Sequence, residues 1–156
     1  MRKASIQAAR KPKRGGAPNV LFVRASVEAL PEALTGVADE ITIHLPWGSL
    51  LAALVRPDPE VLSSIAALGR PGCRLRAVFG YSEASDPGEQ ARLELPALTA
   101  AHRAALRRAY QAAGFEGVAL APVERAELAA LETSWARRLR FGQDRTYLGL
   151  VARRYQ

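Results

Sequence analysis

The sequence predicts an α/β fold with a largely parallel sheet, and three observations carry that expectation. Short β-rich apolar runs alternate with helix-patterned segments along the whole chain. The first two runs, "NVLFVRA" (19–25) and "DEITIHL" (39–45), read as strands of the buried type. The close of the chain runs helix, strand, short insert, strand, an order that fits a final antiparallel pair at the sheet edge.

Residues 2–11 have helix-forming composition and stop at Pro12, before the loop "KRGGAP". After the strand at 19–25, "SVEALPEALTGVA" is broken by Pro31 and Gly36 into turns or short helical pieces. Beyond the strand at 39–45, "WGSLLAALV" and "PDPEVLSSIAALGRPG" read as a helix in two pieces, interrupted by Pro57 and Pro59. The breakers "RPG" lead into a third strand, "CRLRAVFGYS" (73–82), and "EASDPGEQ" reads as a polar loop. "TAAHRAALRRAYQAAG" (99–114) is a helix closed by Gly114. "FEGVALAPV" (115–123) is a fourth strand, "ERAELAAL" a short helix and "RTYLGLVARR" (145–154) the last strand. With 156 residues, no internal repeat and no long linker, the chain reads as a single domain over 1–156.

Composition narrows the function classes. The chain is 49% hydrophobic and 24% charged, ordinary for a globular protein. It has no apolar run near the roughly 18–20 residues that span a membrane. "MRKASIQAARKPKR" is basic without the apolar centre of a signal peptide, so a cytoplasmic location is expected. A single cysteine, Cys73, excludes an internal disulfide and a cysteine-based metal cluster, and it reads as a packed residue. The net charge of +7 points to a polyanionic partner, nucleic acid above all. That charge is clustered: residues 1–14 hold six cations and no acid, and Arg137, Arg138, Arg140 and Arg145 follow Trp135. Solvated basic faces would give the same pattern. Neither His44 nor His102 has metal-ligand spacing; His44 reads as structural in a buried-type strand, His102 sits on a helix among arginines, and no metal is expected.

Two stretches carry a sharper signal. "LPWGSLL" (45–51) puts a tryptophan between proline and glycine straight after a strand, where it is either buried or holds something. Together with "LETSWARRLRFGQDR" (131–145) it resembles the two tryptophan motifs of the aminoglycoside-resistance 16S rRNA methyltransferases that modify N1 of adenine-1408. "AARKPKRGGAPNVLFVRASVEALP" (8–31) is similar to the central region of that family, and the likeness covers nearly the whole chain. It implies a Rossmann-like class I methyltransferase sheet with helices on both faces and an antiparallel C-terminal strand pair. The implied cofactor is S-adenosyl-L-methionine (AdoMet). The implied partner is 16S rRNA in the 30S subunit, bound by a monomer without membrane involvement.

The resemblance also assigns roles. Trp47 and Trp135, the two tryptophans of the chain, would be the planes that clamp a flipped adenine. Val27, Glu28, Leu45, Pro46, Ser49 and Thr133 would border the cofactor. Glu28 could equally be an exposed turn residue, and Thr133 could cap a short helix. Lys11, Lys13, Arg14, Arg138 and Arg145 would grip RNA phosphates, while Gln143 stands where a further cation is expected.

One family feature is not found in these residues. The glycine-rich turn that cradles the cofactor in this fold has no counterpart here, since "RGGAP" precedes a strand instead of following one. By resemblance the first two strands lie upstream of Met1. The expectation is a start further upstream, the alternatives being a truncated, non-catalytic RNA-binding remnant and a small-molecule methyltransferase of the same fold. Without those strands, 19–25 and 39–45 would each lose an inner neighbour and leave apolar edges open.

Overall fold

The computed structural model describes residues 2–17, 19–82, 86–131 and 147–156. Four strands form one sheet: β1 (Ala38–His44), β2 (Gly69–Gly80), β3 (Phe115–Pro122) and β4 (Tyr147–Arg154). Their order is β1-β2-β4-β3, with β1 parallel to β2 and β4 antiparallel to both of its neighbours. Hence β1, β2 and β3 run one way, and β4 inserts between β2 and β3 in the opposite sense. This is the expected closing pair. Among the described residues the α-helices are α1 (Arg2–Ala8), α2 (Gly48–Val55), α3 (Pro59–Leu68), α4 (Pro87–Arg92), α5 (Ala100–Ala112) and α6 (Arg125–Ala130).

The break between α2 and α3 falls where the prolines put it. Asp58 caps α3, its Oδ1 accepting from Glu60 N at 2.9 Å and Val61 N at 3.2 Å, with Pro59 at the first helical position. β2 starts earlier than the sequence suggests, at Gly69 rather than Cys73. It pairs with β1 at Gly69, loops out through "RPGC" with Gly72 at φ +79°, and resumes at Arg74.

β2 alternates strictly: Cys73, Leu75, Ala77 and Phe79 are buried, while Arg74 and Arg76 are exposed. The buried face meets Leu148, Leu150 and Ala152 of β4, Phe115 and Val118 of β3, and the apolar sides of α2, α3 and α5. Tyr110 and Phe115 anchor this core, their rings 6.0 Å apart and tilted by 50°. The opposite face carries the cross-strand row Glu40–Arg74–Arg153–Glu116, acids outside and arginines within. That face is exposed among the described residues.

The run 19–25 corrects an expectation. It forms no strand; Val20, Leu21, Phe22 and Val23 are exposed, Leu21 by 82%. β-rich composition describes fit to a pleated, half-buried surface rather than an intrinsic backbone preference. Here no neighbouring strand among the described residues offers such a surface. β1 keeps its strand but stays half-exposed on one open edge, and His44, expected in a buried strand, is exposed.

The end of α5 yields a first prediction. Gly114 follows the C-cap at φ +96°, and its N–H closes on Gln111 O at 3.1 Å. An added Cβ would touch nothing within 4 Å, so Gly114→Ala tests backbone conformation alone. It is expected to lower stability by about 1–2 kcal/mol in urea titrations.

A second concerns alkali. Burial raises the hydroxyl pKa of Tyr81 to about 12 and pushes that of Tyr110 higher still. Both phenols titrate near their ordinary value of 10.0 once unfolded, so the stability held below that pH is lost as pH climbs toward 12. Tyr110→Phe should flatten the fall of the unfolding midpoint with pH; an unchanged slope would assign the alkaline lability elsewhere.

Candidate functional site

The segment "HLPWG" turns the chain out of β1 at the carboxyl end of the parallel pair, where open α/β sheets place their ligands. Leu45, the residue after β1, has φ +52°, an uncommon conformation for a residue without a glycine's freedom, and precedes a proline. Its N–H is held by Val78 O at 2.7 Å. Gly48 opens α2 with φ +65° and no obstruction around it. Two left-handed residues therefore bracket Pro46 and Trp47. Trp47 is the N-cap residue of α2, in extended conformation, and is 46% exposed. The chain fixes its backbone yet leaves much of the indole in solvent, unlike a core tryptophan.

Residues 26–29 form a tight turn, closed by Ala29 N to Ser26 O at 3.2 Å. Val27 points to the core and is half-buried, while Glu28 is exposed. The Ser26 hydroxyl donates to the Glu28 carboxylate, and with Glu28's own N–H it holds that carboxyl below its ordinary range. Glu28 is thus a fixed anion at neutral pH.

Glu28 and Ser49 line one cleft of about 260 Å³ together with Ala52, Ala53, Val61 and Leu93. Two charged residues at its rim are already engaged: Arg56 with Glu94 at 2.7 Å, and Asp58 in capping α3. The cleft's floor includes a piece that sequence reading missed. "EASDPGEQ" was expected as loop, yet α4 begins at Pro87 and delivers Leu93. An Asp-Pro pair at a helix start was the overlooked signal. α4 ends with Glu94 at φ +50°, Leu95 N on Gln90 O at 2.9 Å and Glu94 N on Ala91 O at 3.2 Å. This is a Schellman end without glycine.

A separate concavity of about 420 Å³ is lined by Arg10, Lys11 and Arg14. Pro12–Arg14 is one 3-10 turn, closed by Gly15 at φ +75°, which presents Lys13 and Arg14 at its exposed end. The chain thereby gathers cations of the basic N-terminus on one surface.

The family profile described as NpmA, 16S rRNA (adenine(1408)-N(1))-methyltransferase, matches residues 1–153. The chain belongs to this family. A curated member of the adenine-1408 methyltransferases, from Escherichia coli, is 33% identical over 142 residues, 88% of this chain and 64% of its own length. The solved 16S rRNA methyltransferase KamB is 37% identical with a TM-score of 0.84, covering 100% of this chain and 72% of that one. A tryptophan-to-alanine variant of the adenine-1408 methyltransferase from Catenulisporales acidiphilia, solved with cosubstrate SAM, is 36% identical. Its TM-score is 0.82, covering 100% of this chain and 70% of that one. The chain therefore spans less than two thirds of the length of the Escherichia coli relative.

Of the site residues expected for an adenine-1408 methyltransferase, the structure brings Glu28 and Ser49 into one cleft and sets Leu45, Pro46 and Trp47 in one loop. Lys11 and Arg14 share the basic concavity, with Lys13 exposed on the same turn. Trp135, Thr133, Arg138 and Arg145 lie outside the described residues. Cys73, read as packed, is buried, with its thiol pKa pushed up by desolvation, and His102 bonds to Val55 O at 2.7 Å, whereas His44, read as structural, is exposed.

Proposed function

We propose that these residues form the base-clamping and RNA-gripping part of an AdoMet-dependent methyltransferase. It acts at N1 of an adenine flipped from the 16S rRNA decoding site and so confers aminoglycoside resistance. The observation that carries this reading is Trp47: a half-exposed indole on a backbone fixed between two left-handed residues, at the carboxyl end of the sheet. Family membership supports it.

Adenine N1 carries its own lone pair, so no side chain need act as base or nucleophile. The demand on the protein is positioning. A base drawn out of the stack would lie on Trp47, each base–aromatic contact contributing about 1–3 kcal/mol, with Trp135 as the second plane. Glu28 and Ser49, with Val27, Leu45, Pro46 and Thr133, would hold the cofactor. Their cleft suits one end of it: a carboxylate acceptor and a hydroxyl stand over apolar walls, in a volume below the roughly 300–1,000 Å³ of whole-ligand pockets. When bound, AdoMet supplies an electrophilic methyl group. Lys11, Lys13, Arg14, Arg138 and Arg145 would neutralise phosphates, making RNA affinity fall steeply with salt. The proposed setting is a single-domain monomer acting on the 30S subunit in the cytoplasm.

The deciding experiment incubates the protein with methyl-labelled AdoMet and 30S subunits, then maps the label by primer extension. A methyl group on N1 blocks the Watson–Crick edge, so one new stop is expected in the decoding site. Saturable RNA binding without AdoMet binding or methyl transfer would make this a non-catalytic RNA binder. Transfer to small acceptors alone would move it to another substrate class.

A further inference from the structure

The eight-residue helix α2 is too short to hold itself together in water. Its last four carbonyls have no partners within the helix and must find them elsewhere. All four are accounted for. Ala52 O accepts from Arg56 N at 2.7 Å and Ala53 O from Asp58 N at 3.2 Å, both local backbone bonds. Leu54 O takes the Tyr110 hydroxyl at 3.3 Å, and Val55 O takes His102 Nε2 at 2.7 Å. A carbonyl is only an acceptor, so the ring nitrogen facing it carries the proton. Half of the C-terminal cap of α2 therefore comes from side chains of α5.

Those side chains are themselves fixed. Tyr110 is fully buried against Phe115, and His102 projects from a fixed backbone, its main-chain N–H bonded to Thr99 Oγ1 at 3.2 Å in the N-cap of α5. α2 is about 12 Å long at 1.5 Å per residue, and Trp47 is its N-cap residue. A short rod clamped at one end transmits any tilt or fraying to the other. Sites need such support to stay within about 0.5 Å of working geometry.

From this geometry we propose that His102 and Tyr110 are positioning residues for Trp47: the clamp on the last turn of α2 sets the orientation of the indole. The proposal rests on the base-clamp reading for its catalytic consequence, but not for its structural one. In a Trp135→Phe background Trp47 is the sole tryptophan, and its time-resolved fluorescence anisotropy reports its motion directly. His102→Leu keeps bulk without a donor, Tyr110→Phe removes only the hydroxyl, and His102→Gln restores an N–H able to reach Val55 O.

His102→Leu and Tyr110→Phe should each raise the population of loosened Trp47 by about fivefold, as expected for one lost hydrogen bond. Methylation in the Trp135-containing protein should fall in kcat more than it rises in KM. His102→Gln should return both toward the parent. Unchanged anisotropy in all three variants, with loss only of the thermal midpoint, would reduce the clamp to a stability feature and overturn the proposal. Loosened Trp47 with methylation intact would support the clamp and instead sink the base-stacking role.

Discussion

Trp47→Ala is expected to cut methyl transfer to the decoding-site adenine by roughly ten- to a hundredfold while leaving the thermal midpoint almost unchanged. The first half follows from the 1–3 kcal/mol that a stacked base gains from an aromatic face, at about 1.36 kcal/mol per tenfold in rate. The second half follows from exposure. Trp47 is 46% open to solvent and absent from the buried core, so removing it vacates little packed volume. Substitutions at such positions usually move stability by no more than about 0.5 kcal/mol. Trp47→Phe keeps an aromatic plane and should retain part of the activity. A Trp47→Ala protein that lost stability and activity in proportion would mark the residue as structural. So would a Trp47→Phe protein no better than Trp47→Ala.

This expectation depends on a loop whose chemistry was legible in the sequence and whose geometry was not. "LPWG" announces a turn after a strand, because proline ends the ladder and glycine permits φ above zero. Nothing in the letters says that Leu45 also adopts a left-handed conformation, since Val78 O across the sheet holds it there. α2, α3 and α5 could be read from helix patterning and breakers: the prolines at 57 and 59 split α2 from α3, and Gly114 closes α5, as expected. The cleft could not be read whole. Glu28 and Ser49 are 21 positions apart and meet only because α2 folds back beside the 26–29 turn, with Leu93 closing the floor from a helix that looked like loop. The run 19–25 shows the opposite failure. Its composition is that of a strand, but a strand is a relation between neighbours, and composition does not say whether the neighbour is there.

That run leads to the second large effect. Protein comprising these 156 residues should self-associate, increasingly as salt is raised, and the double substitution Leu21→Lys with Phe22→Lys should suppress it. Val20, Leu21, Phe22 and Val23 are consecutive, apolar and at least 40% exposed. β1 offers an edge unpaired among the described residues, so backbone donors and apolar side chains are exposed together. Burying two large side chains gains about 1.5–3 kcal/mol each, enough to shift an association constant by two or more orders of magnitude. The net charge of +7 opposes association at low ionic strength; salt screens that repulsion within about 10 Å at 0.1 M and lets the apolar term win. Sedimentation velocity across a salt series separates the two contributions. Ile6→Lys is the control, because Ile6 is 56% exposed but lies in α1, outside the apolar run. Equal suppression by Ile6→Lys would mean that added charge, not the removal of this surface, keeps the chains apart. If the double variant associates as strongly as the parent, the sticky surface lies elsewhere, and the open sheet face carrying Val151 becomes the next place to substitute.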